Sequence, residues 1–224
     1  MDERMRLGII RVLTPAKSDA VWLNSHGQII EQYHPDIGTI TRCIPDQPQG
    51  IFDEASQKMA EPKIMHLAEE IEGLGVDGIL ISCSADPAVE KIRIKAKVPV
   101  IGAGQPAALL ALSYGQPVGV LGLHDTPPES IRAVLGDRMC GGAKPEGVIT
   151  ANDLYKPGAK DSFVVAAQEL RDGGAQAIVL ACTGFSSMNI AAMLTRCLGV
   201  PVVDPVAAAG CFIRFMMVAE ATLG

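Results

Sequence analysis

Gly75-Val-Asp-Gly-Ile-Leu-Ile-Ser-Cys83 and Gly174-Ala-Gln-Ala-Ile-Val-Leu-Ala-Cys182 lie over one another at a constant offset of 99 residues. Each is a glycine turn, a short unbroken apolar run and a cysteine, the pattern of a strand buried on both faces. Upstream, Ile64, Leu67 and Ile71 fall on Phe163, Ala166 and Leu170 at the same offset, with the three- and four-residue spacing of an amphipathic helix. Downstream, Val98-Pro-Val-Ile101 matches Val200-Pro-Val-Val203 at an offset of 102. Gly8-Ile-Ile-Arg-Val-Leu-Thr14-Pro15 loosely matches Gly119 to Pro127. The chain therefore reads as an internal duplication. Within each copy the order is strand, helix, strand, helix, strand. Continuous Ile, Val and Leu runs indicate parallel strands joined by right-handed crossovers. The expected fold is α/β, with two pseudo-symmetric doubly wound, Rossmann- or flavodoxin-like domains, 1–104 and 105–206, and the active site between them. Residues 37–44 read as a further strand, and 46–50 as a loop near the cleft.

Composition narrows the function classes. The 224 residues are 48% hydrophobic, enough for a full core, and a net charge of −6 lacks the basic excess that nucleic acid demands. The longest apolar runs fall short of the roughly 20 residues of a membrane span. The opening Met1-Asp2-Glu3-Arg4 is unlike an export signal, so the cytoplasm is expected. Six dispersed cysteines, none in a close pair, read as reduced thiols rather than disulfides or a zinc site. No metal or cofactor is expected.

Cys83 and Cys182 end equivalent strands where a helix is expected to begin. Unpaired N–H groups and the positive end of the helix dipole there would lower a thiol's pKa. Moving a proton from one face of a carbon to the other needs two acid/base groups on opposite sides, which a pseudo-symmetric pair supplies. Ser82, Ser84 and Thr183, with Gly184 freeing the backbone, could hold a substrate's oxygens or simply cap helices. Phe185 could meet a substituent or belong to the core. His124, at a strand end, is placed near the cleft; His26, His34 and His66 are assigned to surfaces or a helix face.

On Cys83-Ser-Ala-Asp-Pro87, Val98-Pro-Val-Ile-Gly102, Cys182-Thr-Gly184 and Pro201-Val-Val-Asp-Pro-Val-Ala-Ala-Ala209, the chain resembles the aspartate/glutamate/hydantoin racemase superfamily, most of all the hydantoin racemases. The resemblance implies cofactor-independent racemisation by a cysteine pair. It places oxygen ligands on the residues after each cysteine, Ser84, Ala85 and Asp86 among them, and on strand ends near Thr14 and Thr126. It also implies a C-terminal helix, 207–224, that packs back on the first domain. Asp86 and Asp204 fall in motif positions but rank below the cysteines, because an aspartate beside a helix start commonly caps it. The expected partners are a small-molecule substrate, a hydantoin or an amino or dicarboxylic acid, and further copies of the chain.

Several rival readings stay open. Gly102-Ala-Gly104 after a strand mimics a dinucleotide fingerprint, but its repeat counterpart at Asp204 has no glycines. No lysine stands at either strand end to form a Schiff base. Aspartate/glutamate-type racemisation and maleate-type cis-trans isomerisation both suit a double-cysteine cleft. Malonate decarboxylation would use only one cysteine, and a non-catalytic small-ligand binder could use the same fold. Residues 82–87 and 181–187 contain no Lys or Arg. Deprotonating an amino acid leaves a dianionic carboxylate, whereas a hydantoin ring spreads the charge over its own carbonyl, so a 5-substituted hydantoin is favoured.

Overall fold

The computed structural model describes residues 4–15, 20–156 and 158–223. The first half runs β1 (Met5–Arg11), α1 (Ala20–Tyr33), β2 (Ile37–Cys43), α2 (Glu54–Glu72), β3 (Gly78–Ser82), α3 (Val89–Arg93), β4 (Val100–Ile101) and α4 (Gly104–Tyr114). The second runs β5 (Val118–Leu121), α5 (Glu129–Leu135), β6 (Met139–Ala143), α6 (Ala159–Asp172), β7 (Ala177–Leu180), α7 (Ile190–Leu198), β8 (Val202–Val203) and α8 (Pro205–Leu223). Both sheets are parallel, in the orders β2-β1-β3-β4 and β6-β5-β7-β8. The α/β duplication expected from the repeat is thus the architecture: 37–44 contains the strand β2, and the second sheet has a fourth strand, β6, that the repeat does not announce.

The strands β3 and β7 are buried along their whole length because helices cover both faces of each sheet. Every residue of β3 and of β7 is buried, and each fully buried Ile or Leu contributes roughly 1.5–3 kcal/mol relative to exposure. In each sheet the chain goes to one side of the first strand and then to the other, so the order reverses at β1/β3 and at β5/β7. At such points neighbouring connections diverge and leave a crevice outside the carboxyl ends of the strands.

The last helix of each half packs across the molecule. The small residues Ala107, Ala108 and Ala111 of α4 join a core with Val118, Val120, Ala177 and Val179 of the second sheet. Conversely, α8 puts Val206, Ala209, Ile213 and Met217 against Leu7, Ile9 and Leu80 of the first. Pro205–Thr222 is long and apolar enough to cross a bilayer by length and composition, which the length of uninterrupted apolar runs does not suggest. In the fold, that apolar character covers β1 and β3, and Arg214 within it pairs with Asp36 at 2.8 Å.

The crossover into α4 fixes the turn after Cys83. A Cβ at Gly104 would fall well inside contact distance of the Ser84 carbonyl oxygen and of Ser130 Oγ, which donates to that carbonyl at 2.6 Å. Because the obstacle is backbone, Gly104→Ala must displace the turn. The expected loss is about 1–3 kcal/mol, read by denaturant unfolding with an unchanged m-value; a change below about 0.5 kcal/mol would show that the approach is looser than described.

Candidate active site

A cavity of about 620 Å³ opens between the halves at the carboxyl ends of β1, β3, β5 and β7. Its floor carries Arg11 after β1, Ser82 to Ala85 after β3, His124 and Thr126 after β5, and Ala181 to Gly184 after β7. The rest is formed by Trp22 of α1 and by two connecting segments, 49–53 from the first half and residues around Thr150, Asn152 and Leu154 from the second. These segments meet where Asn152 Nδ2 donates to the Pro48 carbonyl at 3.2 Å.

The two cysteines occupy equivalent turns. Asp86 N donates to the Cys83 carbonyl at 3.2 Å and Phe185 N to the Cys182 carbonyl at 3.2 Å, so the repeat survives as backbone geometry just where both thiols face the cavity. Beyond the turns the two copies diverge. After Cys83 the helix starts only at Val89, whereas Cys182 opens a 3-10 turn, Thr183–Met188. Neither thiol therefore sits at the mouth of a long α-helix. The expected lowering of the thiol pKa is reversed in both: burial pushes Cys83 up to about 12, with Asp86 and Cys182 adding repulsion to its anion. Burial likewise pushes Cys182 up to about 11, although the N–H groups of Gly184 and Phe185 and the nearby Arg11 charge pull the other way. Desolvation outweighs the few backbone donors, and both thiols are protonated at neutral pH.

The hydroxyls beside the cysteines divide by their partners. Ser82 Oγ meets His26 Nδ1 at 2.8 Å, and Thr183 Oγ1 donates to the Ser82 carbonyl at 3.0 Å. Ser84 lines the cavity, but its Oγ is turned away from solvent and has no partner among the described residues. Such a group costs about 1–3 kcal/mol when left unsatisfied. Ala85, Thr126 and Gly184 also line the cavity.

Thr14, Asp86 and Phe185 do not line it, contrary to expectation. Thr14 Oγ1 donates to the Ile44 carbonyl at 2.6 Å and accepts from Gln47 N at 2.8 Å, pinning the 44–50 loop. Asp86 accepts from Gly104 N and Gln105 N at 2.7 and 2.8 Å, capping α4. Burial raises its pKa to about 6. The Gly104 N–H of the Gly102-Ala-Gly104 motif, and the Gln105 N–H after it, are thereby already taken by a side chain. Asp204 does the same for α8 from the other position of the repeat, accepting from Val206 N, Ala207 N and Ser186 Oγ. A Cβ at Gly102, the counterpart of Asp204, would collide with the Asp86 carboxylate, so the first half has no room for a side chain there. Phe185 is fully buried and stacks edge-on against Phe163, ring centroids 4.8 Å apart.

One site residue escapes the sequence reading, and a second, Arg11, is open in it, with Arg42, only as a side chain that could enter the cleft from outside the cysteine segments. His26, expected on a surface or helix face, is buried and lines the cavity. Its position four before Ile30 on the inward face of α1 is the available signal. Arg11 ends β1 in register with Ser82, is 4% exposed, and donates to the Trp22 carbonyl and to Ser25 Oγ while its guanidinium lies 3.5 Å from the Trp22 ring centroid. Arg42, on the neighbouring strand β2, pairs with Glu70 at 3.4 Å away from the cleft.

A sequence model of the Asp/Glu/hydantoin racemase family matches residues 25–210. A hydantoin racemase of Rhizobium meliloti is 31% identical over 189 residues, spanning 80% of this chain and 73% of the relative. One of Paenarthrobacter aurescens is 27% identical over 208 residues, spanning 88% and 82%. The solved structure of allantoin racemase from Klebsiella pneumoniae has the same fold, with a TM-score of 0.81 at 21% identity, covering 96% of this chain and 89% of that one. With both matched copies of the duplicated strand-end motif inside the family's span, the chain belongs to the Asp/Glu/hydantoin racemase family and is an isomerase of the racemase class.

Proposed function

We propose that this protein racemises a 5-substituted hydantoin without a cofactor, with Cys83 and Cys182 as the two bases. The observation that carries the reading is that both repeat-equivalent thiols line one cavity between the halves. One cysteine, as thiolate, removes the proton from the ring carbon next to the carbonyl. The other, as thiol, returns a proton to the opposite face, and the two sulfurs exchange protonation states. Each enantiomer uses the pair in the opposite sense.

The wall chemistry supports a neutral ring with an apolar substituent. Trp22, Phe52, Leu123 and Leu154 line the cavity, and among the described residues no lysine does so. The Arg11 guanidinium is occupied by carbonyls and an indole face, so it is poorly placed to neutralise a second carboxylate charge. Two relatives are named hydantoin racemases.

The test is chiral chromatography of each enantiomer of 5-benzylhydantoin with no cofactor added, corrected for the uncatalysed rate. Both are expected to converge on a racemic mixture. Turnover of free aspartate or glutamate, with none of any hydantoin, would overturn the substrate assignment.

A further inference from the structure

We propose that His26 is a positioning residue that sets the spacing of the two cysteine turns by bridging the halves. This inference rests on the two-cysteine reading of the site. His26 comes from α1, in the first half, and its ring lies between the two turns. Nδ1 meets Ser82 Oγ at 2.8 Å, one residue before Cys83, and Nε2 meets Ser187 Oγ at 3.1 Å, in the 3-10 turn that Cys182 opens. Around it the two turns are tied directly once more, Thr183 Oγ1 donating to the Ser82 carbonyl at 3.0 Å, and α1 is tied again to the Cys182 turn where Ser25 Oγ meets Ser187 Oγ at 2.9 Å. Arg11 joins through Ser25 Oγ at 3.2 Å.

The chemistry of the ring suits this task. Burial, reinforced by the Arg11 charge, holds the His26 pKa well below its ordinary 6.5, so the imidazole is neutral. One nitrogen then donates and the other accepts. A serine hydroxyl can do either, which lets one rigid ring satisfy a hydroxyl on each half. Rigidity counts because two-base chemistry needs both sulfurs at reacting distance from one carbon, and a displacement of about 1 Å can cost about 10²-fold in rate. His26 touches neither reacting sulfur in the contacts described, so its effect is exerted through Ser82 and the 3-10 turn.

The experiment compares His26→Leu, which keeps much of the volume but has no polar atom, with His26→Gln, whose amide offers one donor and one acceptor. Thermal unfolding and near-ultraviolet circular dichroism establish that both are folded. His26→Leu is expected to lower kcat for racemisation by about 10- to 100-fold with KM within about twofold, and His26→Gln to recover to within about fivefold of the parent. Ser187→Ala is expected to lower kcat in the parent but to add little on top of His26→Leu, because the bridge is already lost. A folded His26→Leu with kcat within twofold of the parent overturns the proposal, as does a folded His26→Gln no better than the leucine variant. Cysteine variants assayed alongside separate the two readings. Active Cys83→Ala and Cys182→Ala would overturn the two-base chemistry itself, whereas inactive cysteine variants beside a fully active His26→Leu overturn only the bridge.

Discussion

Cys83→Ala is expected to lose racemisation of either enantiomer by at least about 10³-fold, and Cys182→Ala to do the same, within the 10²–10⁴ range that a positioned acid or base contributes. The two faces of the reacting carbon, rather than overall basicity, decide the outcome. With one sulfur gone, the remaining cysteine can still take a proton from the enantiomer that presents its C–H to that side. It can return a proton only to the face from which it came. In deuterated water each single variant should therefore exchange the ring proton of one enantiomer with retention of configuration and leave the other untouched, and the two variants should show opposite preferences. Mass spectrometry with chiral separation reads exchange and inversion on the same sample. Both cysteines are half-buried residues, and alanine is smaller than cysteine, so native near-ultraviolet circular dichroism is expected to accompany the loss. Full-rate racemisation by either folded variant would remove that cysteine from the mechanism.

The parts of this molecule legible in the sequence are those whose physics is local and repeated. The runs before Cys83 and Cys182 announce β3 and β7 because a strand buried on both faces has no polar position to spare. Their equal offset brings the two thiols to equivalent turns. The strand β6 is not legible because Met139-Cys-Gly-Gly-Ala143 has two glycines and lies at the sheet edge, partly exposed along its length, so it carries neither an apolar run nor an alternation. The polar strut of the site is hidden for a different reason. Arg11 looks like an interruption of an apolar strand and His26 like a helix-face polar residue, and only the closure of one half on the other shows that both are buried in the same place. Asp86 shows how a motif position can mislead. It lies three residues after the cysteine in sequence, but its carboxylate is spent on α4, because Gly102 leaves the space that Asp204 fills in the other half.

The second large effect is on pH dependence. Thiols raised to about 12 and about 11 leave little thiolate in the free enzyme at neutral pH. Far below a pKa, the ionised fraction grows tenfold for each unit of pH. Since kcat/KM reports ionisations of the free enzyme, it is expected to rise about 100-fold between pH 7 and pH 9, after subtraction of the uncatalysed base-dependent rate, with no plateau in that interval. Alkylation by iodoacetamide gives the same quantity without a substrate. Peptide mapping should show Cys83 and Cys182 labelled far more slowly than the exposed Cys197 at pH 8, with the difference narrowing as the pH is raised. The linkage to stability has the opposite slope. A thiol whose folded pKa exceeds its ordinary value of about 9 favours folding below that pH, and the contribution is lost as the pH rises through 11 to 12. The alkaline conditions that supply the thiolate thus also begin to favour opening of the cleft that buries it. A plateau in kcat/KM below pH 8, or labelling of either site cysteine at pH 7 as fast as Cys197, would show that backbone donors win over burial and that a thiolate is already in place before substrate arrives.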